Sequence, residues 1–151
     1  MLSVRAEDPG TPDGIALVDE LSSALAAITG ESGRSSFDAG GVRVAGACFA
    51  VARNAGGQAV GCGAFRPLAD GVAELKRMYA RPGNPGVGSA LLAFLEAGAA
   101  SLDYREIWLE TRLVNQRAVG FYRARGYSQI PNYGKYVGND RAICLAKQLR
   151  R

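Results

Sequence analysis

Apolar positions along the chain fall into blocks of two different periods. "LSVRAED" opens with the short alternation of a strand. Thr11-Pro12-Asp13 then supplies the cap and first-turn chemistry of a helix, in which Ile15, Val18, Leu21, Leu25 and Ile28 recur at helical spacing until Gly30. "ESGRSSFDAGG" has no periodicity and reads as a loop. Two apolar runs, "VRVAGACFAVAR" and "QAVGCGAFRPL", are joined by Asn54-Ala55-Gly56-Gly57, a hairpin signal. "GVAELKRMYA", turned by Asp70-Gly71, is a third strand of this meander, and its imperfect alternation suits a central position. Val87, Leu91, Phe94, Leu95 and Leu102 next line one side of a helix, and "REIWLET" is another strand. "NQRAVGFYRARGY" is a helix with Asn115 as N-cap, Val119 and Tyr122 on one side and Gly126 as its stop, and "RAICLAKQL" is a last strand. The order β-α-β-β-β-α-β-α-β predicts an α/β (mixed α+β) fold, a central mixed sheet flanked by helices. With no repeat, low-complexity tract or linker, residues 1–151 are expected to form a single domain.

Composition narrows the chemistry. Histidine is absent, which removes Ser-His-Asp and Cys-His catalysis and most zinc chemistry, so no metal site is expected. Cys48, Cys62 and Cys144 are far apart and sit in strand-like surroundings, where buried free thiols are expected. The start, "MLSVRAEDPGTPDG", reaches Arg5, Glu7 and Asp8 before any apolar run, and no later run approaches transmembrane length. A cytoplasmic location with no membrane partner is the expectation. The net charge of +4 comes from scattered residues, and the strands lack interleaved aromatic and basic positions. That argues against nucleic acid; a small polyanionic ligand fits the charge equally well, and charge alone does not decide.

Such a ligand has an obvious place. "RPGNPGVGS", residues 81–89, crowds glycines and prolines between a strand and a helix. A glycine cluster serves either a turn or a close-approaching ligand. Ahead of a helix, it joins permissive backbone to unpaired N–H groups and the positive end of the helix dipole, which suits phosphate. A P-loop fails because Ser89 and Ala90 follow Gly88 where lysine and Ser/Thr are required. A dinucleotide fingerprint fails because Leu91 stands at the third glycine, after a meander and not at the start of a βαβ unit.

The remaining option is the acetyl-CoA loop of the Gcn5-related N-acetyltransferases (GNAT), which the chain resembles in two places. The family's pyrophosphate motif is [Q/R]-x-x-G-x-[G/A], and Gly86-Val87-Gly88-Ser89-Ala90-Leu91-Leu92 matches its glycine end. Gly83 departs from it, standing where arginine or glutamine is usual, and Asn84 and Pro85 replace the common basic and glycine positions. Arg81 is a candidate for the missing charge. "NQRAVGFYRARGY" resembles the family's later motif, with Asn115, Ala118, Tyr122, Gly126 and Tyr127 in register.

The resemblance implies a splayed sheet, acetyl-CoA as acyl donor and direct transfer to an amine in a ternary complex. It places the pantetheine arm along Met78, Tyr79 and Ala80, with a backbone N–H at Tyr79 or a neighbour polarising the thioester. It places the phosphates at Gly83, Asn84, Pro85, Gly86, Val87, Gly88 and Ser89, with Asn115, Ala118 and Tyr122 completing the cofactor side. Tyr122 is the family-position general acid; read alone, it is more often a core aromatic with a satisfied hydroxyl. Glu74 is the first candidate for the base, with ion pairing to Lys76 or Arg77 as its alternative role, and Glu110 is the second. Cys62 is the cysteine nearest to these positions in strand order, and a structural role is expected for it. A free small-molecule amine is the expected acceptor. A peptide or protein N-terminus, or a non-catalytic acyl-CoA-binding regulatory module, are the alternatives. Acceptor recognition is expected in the first helix, its following loop with Phe37, and Tyr133, Lys135, Tyr136, Asp140 and Arg141. Homodimers are common in the family, and "RAICLAKQL" is a candidate interface or part of the core.

Overall fold

The computed structural model describes residues 1–32 and 39–149. Its frame is a seven-stranded mixed sheet in the spatial order β1-β2-β3-β4-β5-β7-β6. The strands are β1 (Ser3–Ala6), β2 (Cys48–Arg53), β3 (Ala59–Ala69), β4 (Val72–Ala80), β5 (Glu106–Arg112), β6 (Ser128–Ile130) and β7 (Ala142–Gln148). Three helices accompany them: α1 (Pro12–Thr29), α2 (Val87–Ser101) and α3 (Gln116–Ala124).

Local chemistry explains the boundaries. Thr11 accepts a hydrogen bond from the Gly14 amide at 3.1 Å, capping α1 behind Pro12, and Gly30 ends the helix in the left-handed conformation. Asn115 caps α3 by accepting from the Ala118 amide at 3.3 Å, and Gly126, with φ of +94°, lets the chain leave that helix. Gly61 is required by packing: a Cβ there would lie 2.5 Å from Val87 Cγ1 and 2.6 Å from the Tyr79 carbonyl oxygen. Its absence lets the start of α2 settle directly on the sheet.

One core cluster joins α2 and α3 to the sheet through Val87, Leu91, Leu95, Ile107, Tyr122 and Leu145. A second, beneath α1, gathers Leu17, Phe49, Val51 and Cys62. Four sequence expectations are corrected here. Leu17 and Leu21 carry the packed face of α1, whereas Ile15 and Ile28 are exposed. Leu102 is likewise exposed at the end of α2, and the packed positions there are Leu92 and Ala99. The strand expected from Val42 begins only at Cys48, because Ala39–Val42 forms a 3-10 turn. A short strand, β6, lies between α3 and β7 and pairs Ser128 with Ala146. β7 is internal, bonded to β5 and β6, with Ile143, Cys144 and Leu145 buried. Cys62 and Cys144 are buried free thiols and Cys48 is half-buried.

The sheet opens at its centre. β4 and β5 run parallel for three paired positions only, Val72–Glu106, Ala73–Ile107 and Glu74–Trp108. Beyond them no pairing joins the two strands among the described residues. A β-bulge on β4 opposite Gly63 marks the divergence, where the register slips between Cys62–Tyr79 and Ala64–Lys76. Arg77 in that bulge adopts a φ of +56°, which an L-residue other than Gly, Asn or Asp seldom takes. Its guanidinium turns inward to Ser22 Oγ (2.7 Å) and the Ser32 carbonyl (3.3 Å), tying the bulge to α1.

Candidate active site

The divergence of β4 and β5 holds a cavity of about 470 Å³. Lys76, Arg77 and Met78 of β4 and Leu109, Glu110 and Arg112 of β5 form its two walls. Leu21, Leu25 and Thr29 of α1 close one side, Asn115, Ala118 and Tyr122 of α3 another, and Lys135, Tyr136 and Asn139 the mouth. The segment with Phe37, expected near the acceptor, lies outside the described residues.

Tyr122 enters from the first core cluster with only 8% of its surface exposed. Edge-to-face contacts with Phe121 (5.2 Å) and Tyr127 (5.5 Å) fix its ring. Among the described residues no hydrogen-bond partner reaches its hydroxyl. Burial pushes its pKa upward, so the phenol holds its proton at any physiological pH and acts as a donor.

The two candidate carboxylates have different surroundings. Glu74 is 2% exposed and does not line the cavity. Its oxygens accept from Arg66 Nε at 2.9 Å and from the Tyr133 hydroxyl at 2.6 Å, with Lys76 Nζ at 3.7 Å. The ion pair expected with Lys76 is present. Arg77 instead bonds Ser22 and Ser32, and the second cation is Arg66. Nothing in local spacing pointed to Arg66 or Tyr133, because strand pairing and a distant 3-10 turn bring them in.

Glu110 does line the cavity. Arg112 Nη1 binds its Oε2, and its Oε1 has no hydrogen-bond partner among the described residues. Burial pushes its pKa above the ordinary carboxylate value, against the pull of the Arg112 and Lys76 cations. Arg112 also reaches Glu31 at 3.2 Å, and Arg141 reaches the same carboxylate at 3.3 Å. Burial lowers the Lys76 pKa, and its ammonium donates to the Tyr136 hydroxyl at 3.1 Å. The cavity thus sets a proton donor and a proton acceptor on different walls.

The glycine loop leaves β4 at one end of this opening. Gly83 and Gly86 have φ of +82° and +81°, the left-handed region, and a Cβ on either would meet nothing within 4 Å. Gly86 caps α2 with no side-chain hydrogen bond, so the first-turn N–H groups are not occupied by a capping side chain. Gly88 is tight: its Cβ would stand 3.2 Å from the Phe121 ring. Arg81 is engaged elsewhere, by Glu20 (2.7 and 2.9 Å) and the Ala59 carbonyl (2.6 Å). Met78 lines the cavity, while the Tyr79 hydroxyl donates to Glu20 at 3.2 Å and Ala80 pairs with Gly61.

Comparison with known proteins agrees with this geometry. The model of the acetyltransferase (GNAT) family matches residues 17–127. No curated protein sequence matches the chain. Among solved structures, a Klebsiella pneumoniae protein described as an acyl-CoA N-acyltransferase is 26% identical, with a TM-score of 0.83 over 99% of both chains. A GNAT acetyltransferase from Staphylococcus aureus is 16% identical, with a TM-score of 0.79 over 99% of this chain and 100% of that one. The PaiA N-acetyltransferase of Thermoplasma acidophilum, solved with coenzyme A, is 16% identical, with a TM-score of 0.71 over 98% and 99% of the two chains.

Proposed function

This chain belongs to the acetyltransferase (GNAT) family, and from that premise we propose that it moves an acetyl group from acetyl-CoA to the primary amine of a small molecule by direct transfer. Acetyl-CoA supplies the activated thioester. The residues present fit it: β4 has an edge unpaired by β5 beyond Glu74, and α2 begins without a side-chain cap. Met78 and Tyr79 are the β4 positions proposed to hold the arm, and the loop from Gly83 to Ser89 its phosphates.

The observation that carries the proposal is the pairing of Tyr122 and Glu110 across one cavity of modest size. An amine with pKa near 10 is almost wholly protonated at pH 7, and neutralising it costs about 4 kcal/mol. Glu110 is the proposed base, because its Oε1 is open and burial raises its proton affinity toward the working pH. Glu74, fully engaged by Arg66 and Tyr133, is better suited to hold Tyr133 and the mouth of the cavity in place. Tyr122 holds a proton on the α3 side of the same cavity and is the proposed acid for the departing thiolate. A backbone N–H of β4 at Tyr79 or a neighbour is the proposed donor to the acyl oxygen. The cavity volume, shared by the acyl end and the acceptor, favours a compact amine over a folded protein surface.

The test is Glu110→Gln, followed as thioester loss with a panel of small amines. Loss of its base should lower kcat about 100-fold or more at neutral pH, with coenzyme A affinity unchanged. A variant as active as the wild type, on every amine that supports turnover, would remove Glu110 from the chemistry.

A further inference from the structure

The loop that meets the pyrophosphate in this family lacks its own cation here: Gly83 has no side chain and Arg81 is bound to Glu20. A different helix brings one back. We infer that Arg125, at the end of α3, supplies the positive charge for the coenzyme A pyrophosphate that the loop itself does not carry. Its Nε lies 3.2 Å from Ser89 Oγ, and Nη2 bonds the same oxygen. Ser89 is in the first turn of α2, so the guanidinium stands where the unpaired N–H groups of that helix begin. Its Cζ lies over the Phe121 ring, 3.8 Å from the ring centre, and that ring is the one pressed against Gly88. Loop, aromatic ring and guanidinium therefore form one continuous surface.

Part of this placement has an ordinary cause. Arg125 follows the last turn of α3, where a cation is favourable, and its Nη1 donates to the Phe121 carbonyl at 3.0 Å. That accounts for one nitrogen. The other two point to the first turn of α2, the positive end of a second helix dipole, where a cation is unfavourable by itself. Among the described residues no carboxylate pairs with Arg125, and its three hydrogen bonds all go to two neutral oxygens, Ser89 Oγ and the Phe121 carbonyl. An anion at this point would answer both the guanidinium and the α2 amides. The rigid fork of arginine suits a phosphate, and its stacking on Phe121 holds the fork in advance of binding. Gly83 also has a backbone reason to stay glycine, since its φ of +82° would strain an arginine side chain there.

Coenzyme A carries a second phosphate source, the ribose 3′-phosphate, so the experiment must separate the two. Coenzyme A and 3′-dephospho-coenzyme A, which keeps the pyrophosphate, are titrated by calorimetry into wild-type protein, Arg125→Gln and Arg125→Lys. Arg125→Gln should weaken both ligands alike, by about 10- to 150-fold, the range for one charged hydrogen-bonded contact. Arg125→Lys should fall between, keeping the charge without the fork. Glutamine still offers a donor to the Phe121 carbonyl, and the unfolding midpoint without ligand checks that the fold is kept. If Arg125→Gln unfolds, Arg125→Met, which keeps the stem and removes the charge, takes its place: weakened binding of both ligands supports the inference, and wild-type affinity overturns it. A loss seen with coenzyme A but absent with the dephospho form assigns Arg125 to the ribose phosphate and overturns it. Wild-type affinity in Arg125→Gln leaves the helix amides as the whole anchor and also overturns it. A wild-type protein that takes up neither ligand overturns this inference together with the cofactor assignment on which it rests.

Discussion

Replacing Tyr122 by phenylalanine removes one oxygen and separates two roles for this side chain. As a core aromatic, Tyr122 is held by its ring, which is 8% exposed and packed edge-to-face on Phe121 and Tyr127. Phenylalanine keeps that ring and those contacts. The hydroxyl has no hydrogen-bond partner among the described residues, so no buried donor or acceptor is orphaned by its loss. The stability change should therefore be small, within about 0.5 kcal/mol. The rate should respond differently. A positioned acid contributes about 10²- to 10⁴-fold in general. A thiol with pKa near 8.5 is already a tolerable leaving group, which places this case at or below the lower end. We expect kcat to fall about 10- to 100-fold, or about 1.4–2.7 kcal/mol, with coenzyme A affinity unchanged. Urea unfolding, calorimetric titration and thioester loss near 232 nm read the three quantities separately. A variant that loses more than 1 kcal/mol of stability yet turns over like the wild type would refute the reasoning. Its hydroxyl would then serve the fold alone.

Four further outcomes follow from the structure. The acid limb of kcat/KM should lie above the ordinary carboxylate range, because burial raises Glu110 and activity appears only as it loses its proton. Arg112→Gln removes a cation that lowers that pKa and should shift the limb to higher pH, as a pH–rate profile would show. A raised carboxylate stabilises the fold fully below its unfolded value of 4.5, and that contribution fades as pH rises through the folded value. Acid should therefore not weaken the fold through this group. Gly61→Ala would place a methyl 2.6 Å from the Tyr79 carbonyl and should cost at least about 1–3 kcal/mol in urea unfolding.

What was legible in the sequence was whatever a short stretch decides by itself. Thr11, Asn115 and Gly126 act within one turn of their own helices, and each does so as its local pattern implied. The imperfect alternation of β4 indicated a central strand, and it lies between β3 and β5. Elements defined by partners far along the chain were harder. β6 is three residues, "SQI", with two exposed positions and no period to detect; pairing with β7 alone makes it a strand. The face of α1 was misjudged because its apolar residues do not all serve the core. Leu17 and Leu21 pack on the sheet, Leu25 borders the cavity and Ile28 faces outward. At the site, strand position and the match to the family's glutamate position favoured Glu74 over Glu110. The difference between them lies in Arg66, Tyr133 and Arg112, and only the folded chain assembles the first two around Glu74. Arg125 had no motif behind it at all, since its meaning depends on α3 ending beside the start of α2.

The central claim is that the opening between β4 and β5 transfers an acyl group to a small amine. Thioester absorbance near 232 nm, followed with purified protein, acetyl-CoA and a panel of polyamines, amino acids and short peptides, tests it most directly. The account predicts amine-dependent loss that saturates with one or more small amines and leaves an N-acetylated product of matching mass. Binding of acetyl-CoA with no turnover on any amine, or turnover confined to the peptides, would contradict it.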